Sequence, residues 1–254
     1  MIQARVWRAG LLVAVVSGCG DQLAGPPDTS PPSDTPAAGA VSGTVTDAHA
    51  VAIEGAVVCV VAHAGIPCGT TNAAGAYSLQ LPELPGADLA VQVTATGFLT
   101  VVSLVEQPAS GTLWPSSLSM LSRSDAVTLL NGDAGFAFPA PGKGFVELRV
   151  NGATAGSLTG ATATLAGAPE GPVYLDASGV PAPALTGTTS SGGVLFGGLT
   201  PGPFAITVTA AGKTCTAAPA GALIAGDWPG ANGATVSGIA IGDAFTDSLS
   251  VLCN

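Results

Sequence analysis

The chain has 254 residues, of which six are Lys or Arg and sixteen are Asp or Glu, giving a net charge of −10 and only 9% charged residues. That balance repels phosphate backbones and excludes nucleic acid as a partner. Hydrophobic residues reach 47% with 5% aromatic, alongside 36 glycines and 20 prolines. This mixture suits thin Ala/Val-rich β-layers with many turns rather than long amphipathic helices.

Residues 1–18 carry Arg5 and Arg8, then a short apolar run from Leu11 to Val16, then small residues. That is the order of a signal peptide, and the run is too short to stay in a bilayer as a span. The end of the segment, Val16-Ser17-Gly18-Cys19, resembles the bacterial lipobox, which implies lipidation at Cys19 and attachment to a membrane through an N-terminal lipid. The sequence therefore predicts an exported, lipid-anchored protein of the bacterial envelope, with the outer membrane as the expected location. Beyond Cys19, four bases (Arg123, Lys143, Arg149, Lys213) against sixteen acids leave −12. Residues 19–39 are rich in Pro, Ser, Thr and Asp with little to bury, so they are expected to form a disordered tether reaching on the order of 60 Å when extended.

Residues 40–106 read as one small β-sandwich. Val41 to Asp47 alternates apolar and polar, Ala56 to Ala62 is a continuous apolar run, and short strands follow at Cys68–Thr71, Ala76–Leu81, Leu89–Ala95 and Phe98–Val105. The motifs Gly43-Thr-Val-Thr-Asp47, Glu54-Gly-Ala-Val-Val58, Thr70-Thr-Asn-Ala-Ala-Gly75-Ala-Tyr77 and Val93-Thr-Ala-Thr-Gly97-Phe98 resemble the carboxypeptidase regulatory-like domain. The resemblance implies a transthyretin-like (prealbumin-like) sandwich, grouped with carbohydrate-binding-like folds, serving as a non-catalytic module of bacterial envelope proteins.

Residues 107–141 form a connector, with Ser116 to Leu130 as the expected helix, interrupted near Ser122 and restarted from an N-cap at Ser124. Trp114 and Met120 read as packing residues, Asp125 and Asp133 as solvated ones.

Residues 142–254 read as a second, more divergent copy. Strands are expected at Gly144–Val150, Ala161–Leu165, Val173 into a turn at Gly179, Val236–Ile241 and Ser248–Leu252, with a Pro-containing loop from Val180 to Thr186. Gly187 to Lys213 repeats the pattern of Gly69 to Phe98: each opens on Gly-Thr-Thr, turns through small residues, and ends on an alternating strand two residues before a glycine, Gly97 or Gly212. The whole chain is thus predicted to be mainly β: two small antiparallel sandwiches joined by a short, partly helical connector.

Four cysteines remain after Cys19. Cys59 and Cys68 flank the point between His63 and Ala64 and face each other across a hairpin, a separation that suits a disulfide. A four-residue turn over 62–65 fits Pro67 best. Cys215 and Cys253 are left to pair with each other, and an exported compartment permits both bridges. Reduced, buried thiols are the alternative.

No catalytic, cofactor or metal site is read from the sequence. The two histidines, His49 and His63, sit on predicted loops without HExxH or HxxE spacing. Gly156-Ser157-Leu158-Thr159-Gly160 is not a nucleophile elbow, and Asp243 and Asp247 lack a calcium-loop pattern. A non-enzymatic structural or interaction module is the expected role. Two alternatives accompany it: a carbohydrate-binding lipoprotein using Trp228 and Tyr174 as stacking platforms, or an accessory subunit of an envelope peptidase or transporter. An envelope protein or a polysaccharide is the expected partner.

Overall fold

A computed structural model describes residues 39–61, 65–81, 89–105, 113–115, 117–152, 156–167, 170–218 and 233–254. The expected signal segment, Cys19 with the expected tether as far as residue 38, most of the turn after Cys59, and Trp228 lie outside the described residues. The chain is mainly β, as its alternating sequence predicts, and its cores are those of β-sandwiches.

In the first half, β1 (Gly39–Asp47), β2 (Val57–Val60), β3 (Gly69–Thr70), β4 (Ala76–Leu81), β5 (Leu89–Thr94) and β6 (Thr100–Val105) fall where the apolar alternation and the Gly/Asn turns place them. β4 shows the pattern plainly: Tyr77, Leu79 and Leu81 are buried while Ser78 and Gln80 are exposed. Two connector strands follow, β7 (Leu113–Pro115) and β8 (Leu118–Met120), both pairing parallel to β1.

The connector departs from the expected helix. Leu118 and Met120 alternate into the first half's core, so strand period prevails where a helix was expected. The helix α1 (Arg123–Ala126) begins at Ser122, not Ser124; Ser122 Oγ accepts the Asp125 N–H at 3.1 Å and donates to the Asp125 carboxylate. One wider turn, a π-helix over Val127–Asp133, continues it and buries Leu130.

The second half supplies β9 (Gly144–Gly152), β10 (Thr162–Leu165), β11 (Glu170–Leu175), β12 (Pro181–Ala182), β13 (Gly193–Leu199), β14 (Gly202–Thr209), β15 (Cys215–Ala218), β16 (Thr235–Ala240) and β17 (Ala244–Cys253). β15 is the strand after Lys213 that the pairing of Cys215 with Cys253 calls for. β12 occupies the predicted loop, pairing Tyr174 with Ala182 and Leu175 with Pro181.

The strands form a shared central sheet in the order β12-β11-β13-β9-β17-β6-β5-β2-β3. Two smaller sheets cover it: β4-β1 with β7 and β8, and β10-β14-β16. Most pairs are antiparallel, but β17 runs parallel to β9 on one side and to β6 on the other, where Ala244, Phe245 and Thr246 face Thr100, Val101 and Val102. This parallel joint makes one sheet out of strands from both halves.

The two faces of that sheet are used differently. On one face, Val58, Val60, Val91, Val93 and Val101 pack beneath β1 and β4. Farther along the same face, Phe145, Leu195, Val173 and Phe245 are covered by the connector through Ala126, Leu130, Phe136 and Phe138. On the opposite face, Val146, Leu148, Val194, Phe196, Leu249 and Val251 meet Ala163, Phe204, Ile206, Val208 and Val236 of the second half's small sheet. Gly197 is needed where Phe136 crosses: a Cβ there would sit 2.7 Å from that ring.

Both disulfides form. Register places Val57 against Thr70 and Val58 against Gly69, so Cys59 faces Cys68, with a Cα separation of 4.4 Å. Cys215 faces Cys253 directly on β15 and β17, with Cα atoms 4.0 Å apart.

Candidate interaction surface

The two halves are built on one hydrogen-bonding scheme. Val45 N–H donates to Gly75 O at 2.8 Å, and Val150 N–H to Gly192 O at 2.9 Å. Ile53 N–H returns to Val45 O, and Leu158 N–H to Val150 O, at 3.0 and 2.9 Å. A buried threonine then pins each turn. Thr71 Oγ1 accepts the Ala56 N–H at 2.8 Å and donates to Ile53 O at 2.6 Å. Thr188 Oγ1 accepts the Ala161 N–H at 3.0 Å and donates to Leu158 O. The Gly-Thr-Thr motifs therefore correspond out of step by one residue: the second Thr of the first copy does the work of the first Thr of the second. Gly75 and Gly192 both have positive φ, and a Cβ at either would meet the Val45 or Val150 carbonyl oxygen at 2.5 Å. Register agrees as well, since Val57 pairs with Thr94 as Thr162 pairs with Thr209.

This equivalence exposes a difference in use. In the first half, the outer face of β5 and β6 presents Ala90, Val102 and Leu104, which are 0%, 0% and 9% exposed and belong to the core cluster of the second half. The equivalent face in the second half, on β10-β14-β16, is open. Thr162, Thr164, Ala205, Thr207 and Thr209 are exposed, and Thr235, Ser237 and Ile239 are half-buried. No residue of those three strands is ionisable. The hydroxyls are ordered across the strands: Thr162 Oγ1 lies 2.8 Å from Thr209 Oγ1, and Thr207 Oγ1 lies 2.9 Å from Thr235 Oγ1. The result is a flat, neutral surface of methyl and hydroxyl groups on an acidic protein.

Its two edges are not alike. The alternation of paired and unpaired positions in an antiparallel ladder, fixed by the bond from Val208 N–H to Ala234 O, turns the backbone groups of Ala163 away from β14. That outward N–H is taken by the Tyr174 hydroxyl at 3.1 Å. On β16 the same alternation turns Thr235, Ser237 and Ile239 outward; β15 meets that side just before the strand, where Ala217 N–H donates to Gly233 O at 2.6 Å, and no strand pairs with Thr235 to Ile239 there among the described residues.

Tyr174 is therefore not a stacking platform. It is 3% exposed, packed in the second half's core, and its hydroxyl closes the edge of β10. Continuous burial of Val173, Tyr174 and Leu175 puts this stretch of β11 under cover on both faces. Its candidate partner, Trp228, and the expected lipidation residue Cys19 lie outside the described residues. Cys59, Cys68, Cys215 and Cys253 are all spent in disulfides.

Other polar groups are likewise spent on the backbone. Asp47, Asn72 and Asp176 each accept two N–H groups, from residues two and four positions onward, closing three tight turns. These bonds, led by that from Val180, hold the Asp176 carboxyl below the ordinary carboxylate range. Asp243 takes the Gly142 N–H at 3.1 Å, and Glu170 takes the Ala137 N–H at 3.1 Å, tying the connector to β11. His49 Nε2 stands 3.9 Å from Asp125 on the surface. Glu147 differs, with an 18% exposed side chain whose Oε1 lies 3.0 Å from the Arg149 guanidinium but off the line of a hydrogen bond. Burial pushes its carboxyl up, and Arg149 opposes the shift only in part. No group of three or more His, Cys, Asp or Glu able to hold a metal occurs among the described residues, and none of their helices is long and apolar enough to cross a membrane.

No known family matches the sequence, and no curated protein is similar to it. Solved structures with some likeness include the Bacillus anthracis TIE protein, at 16% identity over 85% of this chain and 34% of that one, with a TM-score of 0.28. A cohesin complex from Acetivibrio cellulolyticus gives 15% identity over 35% of this chain and 60% of that one, with a TM-score of 0.27. The chain thus spans less than two thirds of either. The Streptococcus agalactiae minor pilin GBS52 gives 11% identity over 85% and 95%, with a TM-score of 0.26. Likeness at these scores carries neither family nor function to this chain.

Proposed function

We propose that the protein is a lipid-anchored, non-catalytic interaction module of a bacterial cell envelope. It carries two regulatory-like sandwiches on a tether from Cys19 and holds out β10-β14-β16 as its contact surface. The observation that carries the reading is the unequal fate of two equivalent sheets. The first half's outer face is buried at Ala90, Val102 and Leu104 in the second half's core, with Val57 left exposed at its margin, whereas the second half's face is open, neutral and ordered. A non-catalytic role fits the way Thr71, Thr188, Asp47, Asn72, Asp176 and Glu170 are committed to main-chain bonds, which leaves them as scaffold rather than chemistry.

Anchoring rests on the lipobox resemblance around Cys19. Fractionation tests it: the wild-type chain should sediment with membranes and Cys19→Ala should not, while equal partition overturns the anchor. Binding of the oxidised chain to isolated cell-envelope material tests the surface. Saturable binding that drops at least tenfold in Thr207→Lys is expected, and an unchanged affinity overturns the assignment. Carrying the same assay to purified peptidoglycan and soluble polysaccharides separates a protein partner from a glycan, since only a glycan-binding protein retains full affinity for the polysaccharide alone.

A further inference from the structure

The open edge of the hydroxyl-bearing sheet has a geometry of its own. β16 reads Thr-Val-Ser-Gly-Ile-Ala, six residues without a charge, a proline or an irregularity in its register with β14. Exposed edge strands are ordinarily blunted by such features, because a free row of N–H and C=O groups templates another strand. Three comparable strands are guarded. β10 has its outward Ala163 N–H filled by Tyr174. β2 is covered by β3, which the Cys59–Cys68 bridge secures. β6, which occupies in the first half the position that β16 occupies in the second, is covered by β17. β16 keeps the position with β15 reaching only Gly233, so that Thr235 to Ile239 lack a covering strand among the described residues.

We infer that β16 pairs with β16 of a second copy of this chain, antiparallel and about a two-fold axis at Ser237. This rests on reading β10-β14-β16 as the interaction surface. Three observations favour a copy over another partner. An antiparallel pair centred on Ser237 sets Thr235 against Ile239 and Ser237 against itself, so each outward donor meets an outward acceptor, about six main-chain bonds in all. The strip is uncharged, so two molecules of net charge −10 approach along their least repulsive line. The first half already shows this edge position accepting a strand, and pairing there continues a sheet. The product is a six-stranded sheet whose two hydroxyl faces merge into one surface.

Ser237→Pro tests the pairing. The substitution removes an outward N–H and leaves the bonds between β16 and β14 in place, because residues 236 and 238 supply those. The probe is the full chain with Cys19→Ser, measured by sedimentation at micromolar to hundred-micromolar concentration. The wild-type edge should give a discrete mass of two chains, and Ser237→Pro half that mass with an unchanged circular dichroism spectrum. A wild-type chain that stays monomeric throughout overturns the inference, as does a Ser237→Pro chain that remains a dimer. Lost spectral structure in Ser237→Pro moves the test to Ser237→Asp, where like charges meet at the axis and a retained dimer again overturns it. Envelope binding is measured separately, so a monomer that still binds through Thr207 removes the dimer and leaves the proposed role standing.

Discussion

A buried threonine hydroxyl between two main-chain groups is the smallest unit that explains this fold. Thr188 satisfies an N–H at Ala161 and a carbonyl at Leu158 at once, and a buried group left without its partner costs about 1–3 kcal/mol. Thr188→Val keeps the shape and strands both groups, so urea denaturation should show a loss of about 1–3 kcal/mol. Thr71→Val should lose a similar amount, and a neutral effect at either site would refute the pinning role. These threonines are legible in sequence only as members of a repeated Gly-Thr-Thr, and not as to which of each pair is buried. Spacing reveals a repeat but not which hydroxyl faces inward, since that depends on the turn before it. Glu147 escapes a sequence reading for a related reason: one carboxylate in an alternating strand looks like a solvated position, and only the neighbours across the sheet reveal its burial. Its raised pKa fixes a sign. The folded state favours the protonated form, so this contribution to stability is full below the ordinary carboxylate range and is lost as pH rises through the raised value. Glu147→Gln should therefore be more stable than wild type at neutral pH, seen as a higher Tm. The difference should vanish in acid. Asp176 acts in the opposite sense, helping at neutral pH and failing as pH falls through its lowered value.

Among the elements, the two disulfides differ in what they close. The bridge between Cys59 and Cys68 spans 9 residues and that between Cys215 and Cys253 spans 38. Chain entropy predicts about 2.5 kcal/mol for the first and about 4 kcal/mol for the second. Paired alanine replacements should preserve that order in denaturant unfolding, and the reverse order would show that the short bridge does more than shorten the unfolded chain. Pairing of the first two cysteines is readable because hairpin arithmetic alone sets Cys59 against Cys68. The strands β7 and β8 are not readable in the same way. Each is three residues long, and each is made a strand by a partner distant in sequence rather than by its own alternation. The same competition decides the connector, where Leu118 and Met120 find a neighbour in β1 before they can turn as a helix.

At the scale of the whole molecule, mainly β layering and the repeat are plain from alternation and turn residues, whereas the shared sheet is not. Nothing in either half's sequence announces that Ala244 to Thr246 will lie beside Thr100 to Val102, because parallel pairing between distant segments leaves no local signature. Phe245, 6% exposed, is the hinge of this joint, packing with Leu99, Phe145 and the connector. Phe245→Ala should cost about 3–5 kcal/mol. Amide exchange should quicken in β6 along with β17, in one cooperative transition; protection lost in β17 alone would mean that the halves unfold separately. The joint also sets an order of events. In a chain made from its N-terminus, β6 arrives early and must wait, its edge bare, through more than a hundred residues of later synthesis. Until β17 follows, the first half carries an unfinished sheet, which makes that interval the one in which a chaperone has most to protect.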